Sequence, residues 1–248
     1  MTGPPVIRIG TSGWHYKHWV GPFYPMGLRP KGFLAHYARH FDTAEINSTF
    51  YRLPKEETLA VWREGTPEGF VFACKASRYI THMKKLRHPR ESGERFFAVI
   101  ESLAGKLGPI LFQLPPRWHV NADRLAAFLD AIPAGHQVAF EFRDPSWFVS
   151  AVYELLARHN AALCIYDLAG TLSPLEVTAD FVYLRLHGPG GAYQDRYDDK
   201  ALAAWAQRIL IWRSQGLDAY GYFDNDEKGY AALDARRLLD MILRQSGG

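Results

Sequence analysis

Short β-branched and aromatic runs alternate with amphipathic runs along the whole chain, and that alternation limits its fold more than any other feature. Eight candidate strands stand out: Val6–Gly10, Thr43–Asn47, Phe70–Lys75, Ile110–Gln113, Gln137–Arg143, Ala161–Asp167, Phe181–His187 and Asp218–Phe223. Several are apolar nearly throughout, as strands covered on both faces must be. Between them the spacing predicts helices. Asn121 caps a run that puts Leu125, Phe128, Leu129 and Ile132 on one face, and Asp198 precedes Leu202, Trp205, Ile209 and Trp212 at three-to-four spacing. Further helices are expected over Pro30–His40, Lys55–Glu64, Ser92–Lys106, Trp147–His159 and Lys228–Leu243, and the stretch between strands six and seven is too short for a full one.

Strand–helix alternation implies parallel strands, because each helix carries the chain back to the same end of the sheet. Eight such units in 248 residues match the roughly 250 residues typical of one (β/α)8 barrel. The expected fold is therefore α/β, a TIM-type barrel occupying 1–248 as a single domain, with a doubly wound sheet as the alternative. No Gly/Ser linker, low-complexity tract or shift in composition marks a second domain.

A hydrophobic fraction of 48% with 22% charged residues suits a water-soluble globular protein. Cys74 and Cys164 both lie inside apolar runs, which predicts reduced core thiols and a cytoplasmic location rather than a disulfide framework. The N-terminal residues lack a signal-peptide pattern, and no apolar stretch reaches the roughly 18 residues of a membrane span, so no membrane partner is expected. Oligomeric state is left open. The net charge is +3, yet Lys75 to Arg95 alone holds seven basic residues against Glu91 and Glu94. A concentration of that kind describes a site rather than bulk solubility.

In barrels of this class the chemistry sits at the C-terminal ends of the strands, and polar residues collect there in this sequence. Strand one runs into Thr11-Ser12-Gly13-Trp14; strand two ends with Glu45 and Asn47, three with Lys75, four with Gln113 and five with Glu141 and Arg143. Strand six ends at Asp167, seven with Arg185 and His187, and eight runs into Asp224 and Asn225. Side chains alternate along a strand, so Glu45 shares a face with Asn47, Glu141 with Arg143, and Arg185 with His187. Turned inward, these charges must pair or reach water, since an unpaired buried charge costs several kcal/mol. Glu45, Glu141 and His187 are the candidate catalytic groups. Trp14, Asn47, Lys75, Gln113, Arg143, Arg185 and Asn225 are the candidate ligand contacts, and Glu45, Glu141 and Arg185 have a competing reading as ion pairs that fill the interior.

The run His187-Gly188-Pro189-Gly190-Gly191 after strand seven could cradle a phosphate or be a plain tight turn. Aromatics crowd the same loops: Trp14, Tyr16, Trp19, Tyr24, Phe50, Tyr51, Trp118 and Trp147. Together with Lys84, Lys85 and Arg87 they suit single-stranded nucleic acid or another phosphate-bearing ligand, unless they pack the loops. Metal-ligand spacings such as H-x-H, H-E-x-x-H and C-x-x-C do not occur, so no cofactor is evident. A single Mg²⁺ on Glu45, Glu141 or Asp167 is the one option left open. Glu45 and Glu141 could form a glycosidase pair, with Arg143 favouring a charged nucleophile at Glu141. Ser12 shows no base partner, and no G-x-S-x-G occurs.

Ile9-Gly10-Thr11-Ser12-Gly13-Trp14, Phe23-Tyr24-Pro25 and Glu45-Ile46-Asn47-Ser48-Thr49-Phe50-Tyr51 resemble the YecE-like family, also called domain of unknown function 72. The resemblance continues through Phe72–Lys75, Ile80-Thr81-His82, Leu111–Pro116, Phe140–Arg143 with Ser146-Trp147, and Arg185–Gly188, and so covers nearly the whole chain. It implies a barrel. It implies little about activity: a DNA-binding or repair role has been suggested only through analogy with a metal-dependent endonuclease barrel. Asp234-Ala235 departs from the Asn-Ala usual in the family's last helix, and Asp224-Asn225-Asp226 is more acidic than expected, which weighs against an anion site in the eighth loop. Three readings follow: an enzyme acting on an anionic small molecule, a nucleic-acid-binding protein, or an interaction scaffold with a vestigial pocket.

Overall fold

The computed structural model describes residues 3–246. Its strands are β1 Ile7–Thr11, β2 Thr43–Ile46, β3 Val71–Lys75, β4 Leu107–Gln113, β5 Val138–Glu141, β6 Ala162–Leu168, β7 Thr171–Leu172, β8 Phe181–Leu186 and β9 Asp218–Phe223. The helices are α1 Phe33–Tyr37, α2 Ser48–Tyr51, α3 Glu56–Glu64, α4 Pro89–Ile100, α5 Ala122–Leu129, α6 Ser150–Arg158, α7 Asp199–Ser214 and α8 Tyr230–Ser246. The hydrogen-bonded strand order is β1-β9-β8-β6-β5-β4-β3-β2, with β7 folded antiparallel onto β6. Leaving that two-residue hairpin aside, neighbours in the order are neighbours in sequence, except that the first strand, β1, pairs with the last, β9. The point of reversal that a doubly wound sheet requires is missing. The fold class is the parallel eight-stranded α/β barrel expected from the alternation.

The chain forms two compact units. One takes the residues up to Glu45, Ile165–Ser173 and Asp180 onward; the other takes Ile46–Cys164 and Pro174–Ala179. In the first, β9 lies in parallel register with both β1 and β8, Gly10 opposite Tyr222 and Arg185 opposite Tyr222. Ser12 bridges to Glu45. Gly10 is required there: a Cβ on it would fall 2.3 Å from the Thr43 carbonyl oxygen and 2.9 Å from the Tyr37 hydroxyl. Tyr37 uses that close approach, its hydroxyl accepting from Thr11 N at 2.9 Å and donating to Thr43 O at 3.0 Å. In the second unit β3, β4 and β5 form consecutive parallel ladders. Phe112 stacks on Phe140 at 5.2 Å, and Phe142 on Trp147 at 4.8 Å.

The predicted caps hold. Asn121 accepts from Arg124 N at 2.9 Å and Asp198 from Ala201 N at 2.7 Å, each satisfying an amide that the first turn leaves open. The last helix is shifted to Tyr230–Ser246 from the expected Lys228–Leu243, and three others differ from their expected spans in kind. Pro30–His40 is a 3₁₀ turn over Pro30–Gly32 followed by the short α1. Ser92–Lys106 starts earlier, at Pro89, and gives way after Ile100 to a 3₁₀ stretch whose Ala104 has φ 51°. Trp147–His159 begins as the 3₁₀ turn Pro145–Trp147, capped by Asp144, before α6. Apolar periodicity sees one continuous face in each case, but not the change in hydrogen-bond spacing beneath it. Among the described residues no helix is long and apolar enough to cross a membrane.

Candidate functional site

In the first unit the polar strand ends form one connected network around Arg185, which is 1% exposed, and Glu45, which is fully buried. Arg185 grips Glu45 with two parallel bonds, Nη2 to Oε1 at 2.8 Å and Nε to Oε2 at 3.1 Å. This fork geometry is what lets guanidinium and carboxylate lose water together. Ser12 Oγ donates to Glu45 Oε1, and Tyr183 OH donates to Oε2 at 2.6 Å. Ser12, expected to have no base partner, therefore does have a carboxylate partner, from a strand that sequence spacing cannot relate to it. Burial and then Glu45 push the Tyr183 phenol well above its ordinary value, so it stays a donor.

Arg185 also reaches outward. Nη2 donates to Ser12 Oγ at 3.0 Å and to Asp224 Oδ2 at 3.1 Å, and Nη1 lies 3.3 Å from His187 Nε2. A guanidinium only donates, so His187 Nε2 is the acceptor; the ring proton sits on Nδ1, which donates to Asp224 Oδ2 at 3.1 Å. Both ring nitrogens of His187 are thus engaged inside the network. Two carboxylates share one guanidinium here, and the Asp224 side chain, 13% exposed, is the part that meets solvent.

The glycine run after this strand belongs to a loop folded back on the strand end, with Tyr193 N donating to His187 O at 2.6 Å and Gln194 N to Gly191 O at 3.3 Å. Gly188 N donates to Tyr197 OH at 3.1 Å, and a Cβ on Gly188 (φ 113°) would fall 2.0 Å from the Gln194 carbonyl oxygen. A Cβ on Gly190 would meet Asp195 Oδ2, a neighbour that disfavours an anion. Asn225, expected at a ligand, is fully buried and braces the last helix, its Nδ2 donating to Asp195 O and Asp234 Oδ2, both at 2.9 Å. The acidic departure at 234 is answered locally: the fully buried Asp234 also accepts from Tyr197 N at 3.0 Å and from Arg237 Nη1 at 2.7 Å. Trp14 is buried as well, and its carbonyl accepts from Tyr24 OH.

The second unit has a different character. Fully buried Glu141, at the end of β5, takes Arg143 Nε on Oε1 and the Cys164 thiol on Oε2 at 4.0 Å. Gln113 ends β4 in register with Glu141, and Asn47 stands just past β2 at the start of α2. Beyond β3 the basic segment rises from Lys75 through a wide turn at Tyr79–Met83 into α4. Its cations lie on aromatic faces: Lys75 Nζ is 4.6 Å from the Phe50 ring centre, Lys84 Nζ 5.4 Å from Tyr79, and Lys85 Nζ 6.0 Å from Trp118, which Arg124 also approaches at 5.8 Å. Lys85 and Arg87 are exposed.

Most of the aromatics expected on the rim instead pack the loops. Trp19, Tyr24, Trp118 and Trp147 are buried, whereas Tyr51 is 75% and Tyr79 40% exposed. Tyr79, Asp224 and Tyr183 were missed as site residues, although Tyr183 shares the inward face of Arg185 by simple alternation. Among the described residues no group of three or more His, Cys, Asp or Glu side chains could hold a metal ion. A surface groove of about 790 Å³ bordered by Arg52, Lys55, Arg95, Glu56 and Glu57 carries both signs of charge.

The strand order and the polar strand ends define this as a barrel of the TIM class. Within that class the chain belongs to the DUF72 family, described as a protein family of unknown function, whose model matches residues 8–247. YunF of Bacillus subtilis is 26% identical over 96% of this chain and 95% of its own. YecE of Escherichia coli K12 is 34% identical over a stretch covering 60% of this chain and 53% of that protein, so the match spans about half the relative. The crystal structure of a DUF72 family protein from Thermotoga maritima superposes with a TM-score of 0.88 at 27% identity, covering 96% of this chain and 99% of that one.

Proposed function

We propose that this chain binds phosphate-bearing ligands along the basic, aromatic-lined rim of residues 75–124, and that single-stranded nucleic acid is the form the rim fits best. The observation that carries this reading is Tyr79, an exposed ring with the Lys84 ammonium 5.4 Å from its centre. No acidic residue occurs from Lys75 to Arg90. Cations neutralise phosphates with release of condensed counterions, while an exposed ring offers a stacking face to any base. The network around Arg185 supports anion binding less well. Its guanidinium is already shared by Glu45 and Asp224, and both nitrogens of His187 are committed.

Fluorescence anisotropy with a labelled single-stranded oligonucleotide, titrated from about 50 to 200 mM salt, tests the proposal. Binding should weaken steeply with salt. Reversing Lys84, Lys85 and Arg87 to Glu should lower affinity about 10- to 100-fold and flatten the logarithmic salt slope by about 2. Binding of phosphorylated small molecules alone, lost in the same variant, would keep the rim and reject the polymer. Binding that is absent at low salt, or indifferent to the reversal, would end the reading.

A further inference from the structure

The turn Tyr79–Met83 has π-helical spacing and closes with Lys84 N donating to Tyr79 O at 2.9 Å. Such widened turns recur at functional sites because the extra residue re-aims the side chains around it. Here the re-aimed side chain is His82, part-buried, with its ring edge-on to Phe50 at 5.0 Å and 83°. The same Phe50 ring carries the Lys75 ammonium, and Arg78 lies one residue before the turn. Thr81, fully buried, orients the imidazole: its hydroxyl donates to Ser77 O at 3.3 Å and meets His82 Nδ1 at 2.9 Å.

A hydroxyl has one proton to give. Both contacts are satisfied together only when that proton goes to the Ser77 carbonyl and His82 Nδ1 donates to the hydroxyl, which leaves the lone pair on Nε2. Among the described residues nothing takes Nε2. Burial, then Lys75 and Arg78, press the imidazole down to about 4, so the ring is neutral throughout the physiological range. So weak a base is poorly matched to proton abstraction near neutral pH. A neutral acceptor flanked by two cations is instead matched to a hydroxyl group whose neighbour is a phosphate.

We infer that His82 is a recognition residue that accepts a hydrogen bond from a ribose 2′-hydroxyl, so that the rim prefers RNA to DNA of the same sequence. The inference rests on the nucleic-acid reading above and adds the sugar to it. The 2′-hydroxyl is the group by which a protein can separate the two polymers at one position.

The test compares a twelve-residue oligouridylate with the matching oligodeoxyuridylate by anisotropy at one fixed salt concentration. One hydrogen bond to a neutral acceptor should give a preference of about three- to tenfold for the ribose strand. His82→Asn, which mimics only the Nδ1 side of the ring, should erase the preference. His82→Gln, which puts an amide oxygen within reach of the Nε2 position, should keep part of it. Melting curves confirm that the variants fold, and a wild-type protein without the preference overturns the inference whatever the variants do. Equal, salt-dependent affinity for both strands, or a preference that survives His82→Asn, would sink the inference and leave the rim intact. Absence of binding to either strand would remove the rim reading itself.

Discussion

The charged cluster around Arg185 and the charged rim after β3 use the same side-chain chemistry toward opposite ends. Around Arg185 the charges are consumed by one another: the guanidinium spans Glu45, Ser12 and Asp224, and Glu45 takes four bonds on two oxygens. On the rim Lys75, Lys84 and Lys85 lie against rings and Arg87 is exposed, with no carboxylate in the sequence between Lys75 and Arg90. A buried pair that meets its own needs contributes rigidity and little recognition, whereas cations held against apolar faces keep their charge available. Position along a strand therefore does not reveal whether a charge is structural or functional; the number of its partners does.

The largest effect that would break this contrast lies in the closed cluster. Arg185→Met leaves Glu45 buried without its counter-charge and should cost about 3–5 kcal/mol in urea unfolding, whereas pairing it with Glu45→Leu should restore most of the loss. An Arg185→Met protein as stable as the parent would show that the network is not what it looks like. A smaller effect is expected on the open rim. Tyr79→Ala should weaken oligonucleotide binding about tenfold by removing a stacking face, with little change in melting temperature. Loss of stability without loss of affinity there would make Tyr79 a packing residue.

The smallest effect is acid sensitivity. Burial holds His82 at about 4 when folded, against 6.5 for a free imidazole, so the unfolded chain binds the proton more readily between those values. Its stabilising contribution is whole above about pH 6.5 and is lost as the pH falls toward 4. His36 and His40, lowered mainly by burial, act with the same sign, while Asp167 and Asp226, raised by burial, act with the opposite one. The slope of stability against pH from 7 to 5 should therefore be shallower in His82→Gln than in the parent. Identical slopes would mean that His82 is as solvated as a free imidazole.

The barrel could be read from the sequence because alternation is repeated eight times, and an error of one to three residues at a strand end leaves the order unchanged. Two of the three pairs set two residues apart were legible as well: Glu141 touches Arg143 and Arg185 touches His187, each across a strand's end, whereas Asn47 has left β2 and stands at the N-cap position of α2. Partnerships across long separations were not. Ser12 with Glu45, Tyr183 with Glu45 and Asn225 with Asp234 depend on register and on the path of the last loop, which no local pattern encodes. Nor does composition separate Tyr51 and Tyr79, which face solvent, from Trp19 and Trp147, which pack beneath the loops. His82 lies in the Ile80-Thr81-His82 stretch of the family resemblance, but that stretch names no role for it; the widened turn and its contacts do.

That turn carries a consequence for how the rim could be lost. In an α-helix each residue advances about 100° around the axis, so a five-residue step stores one residue of slack relative to the regular four. Excising Ile80 or Thr81, both fully buried, would let the segment relax into an ordinary helical turn. The chain would keep its charge and all but one of its buried side chains, yet the imidazole would swing roughly a quarter turn away from Phe50.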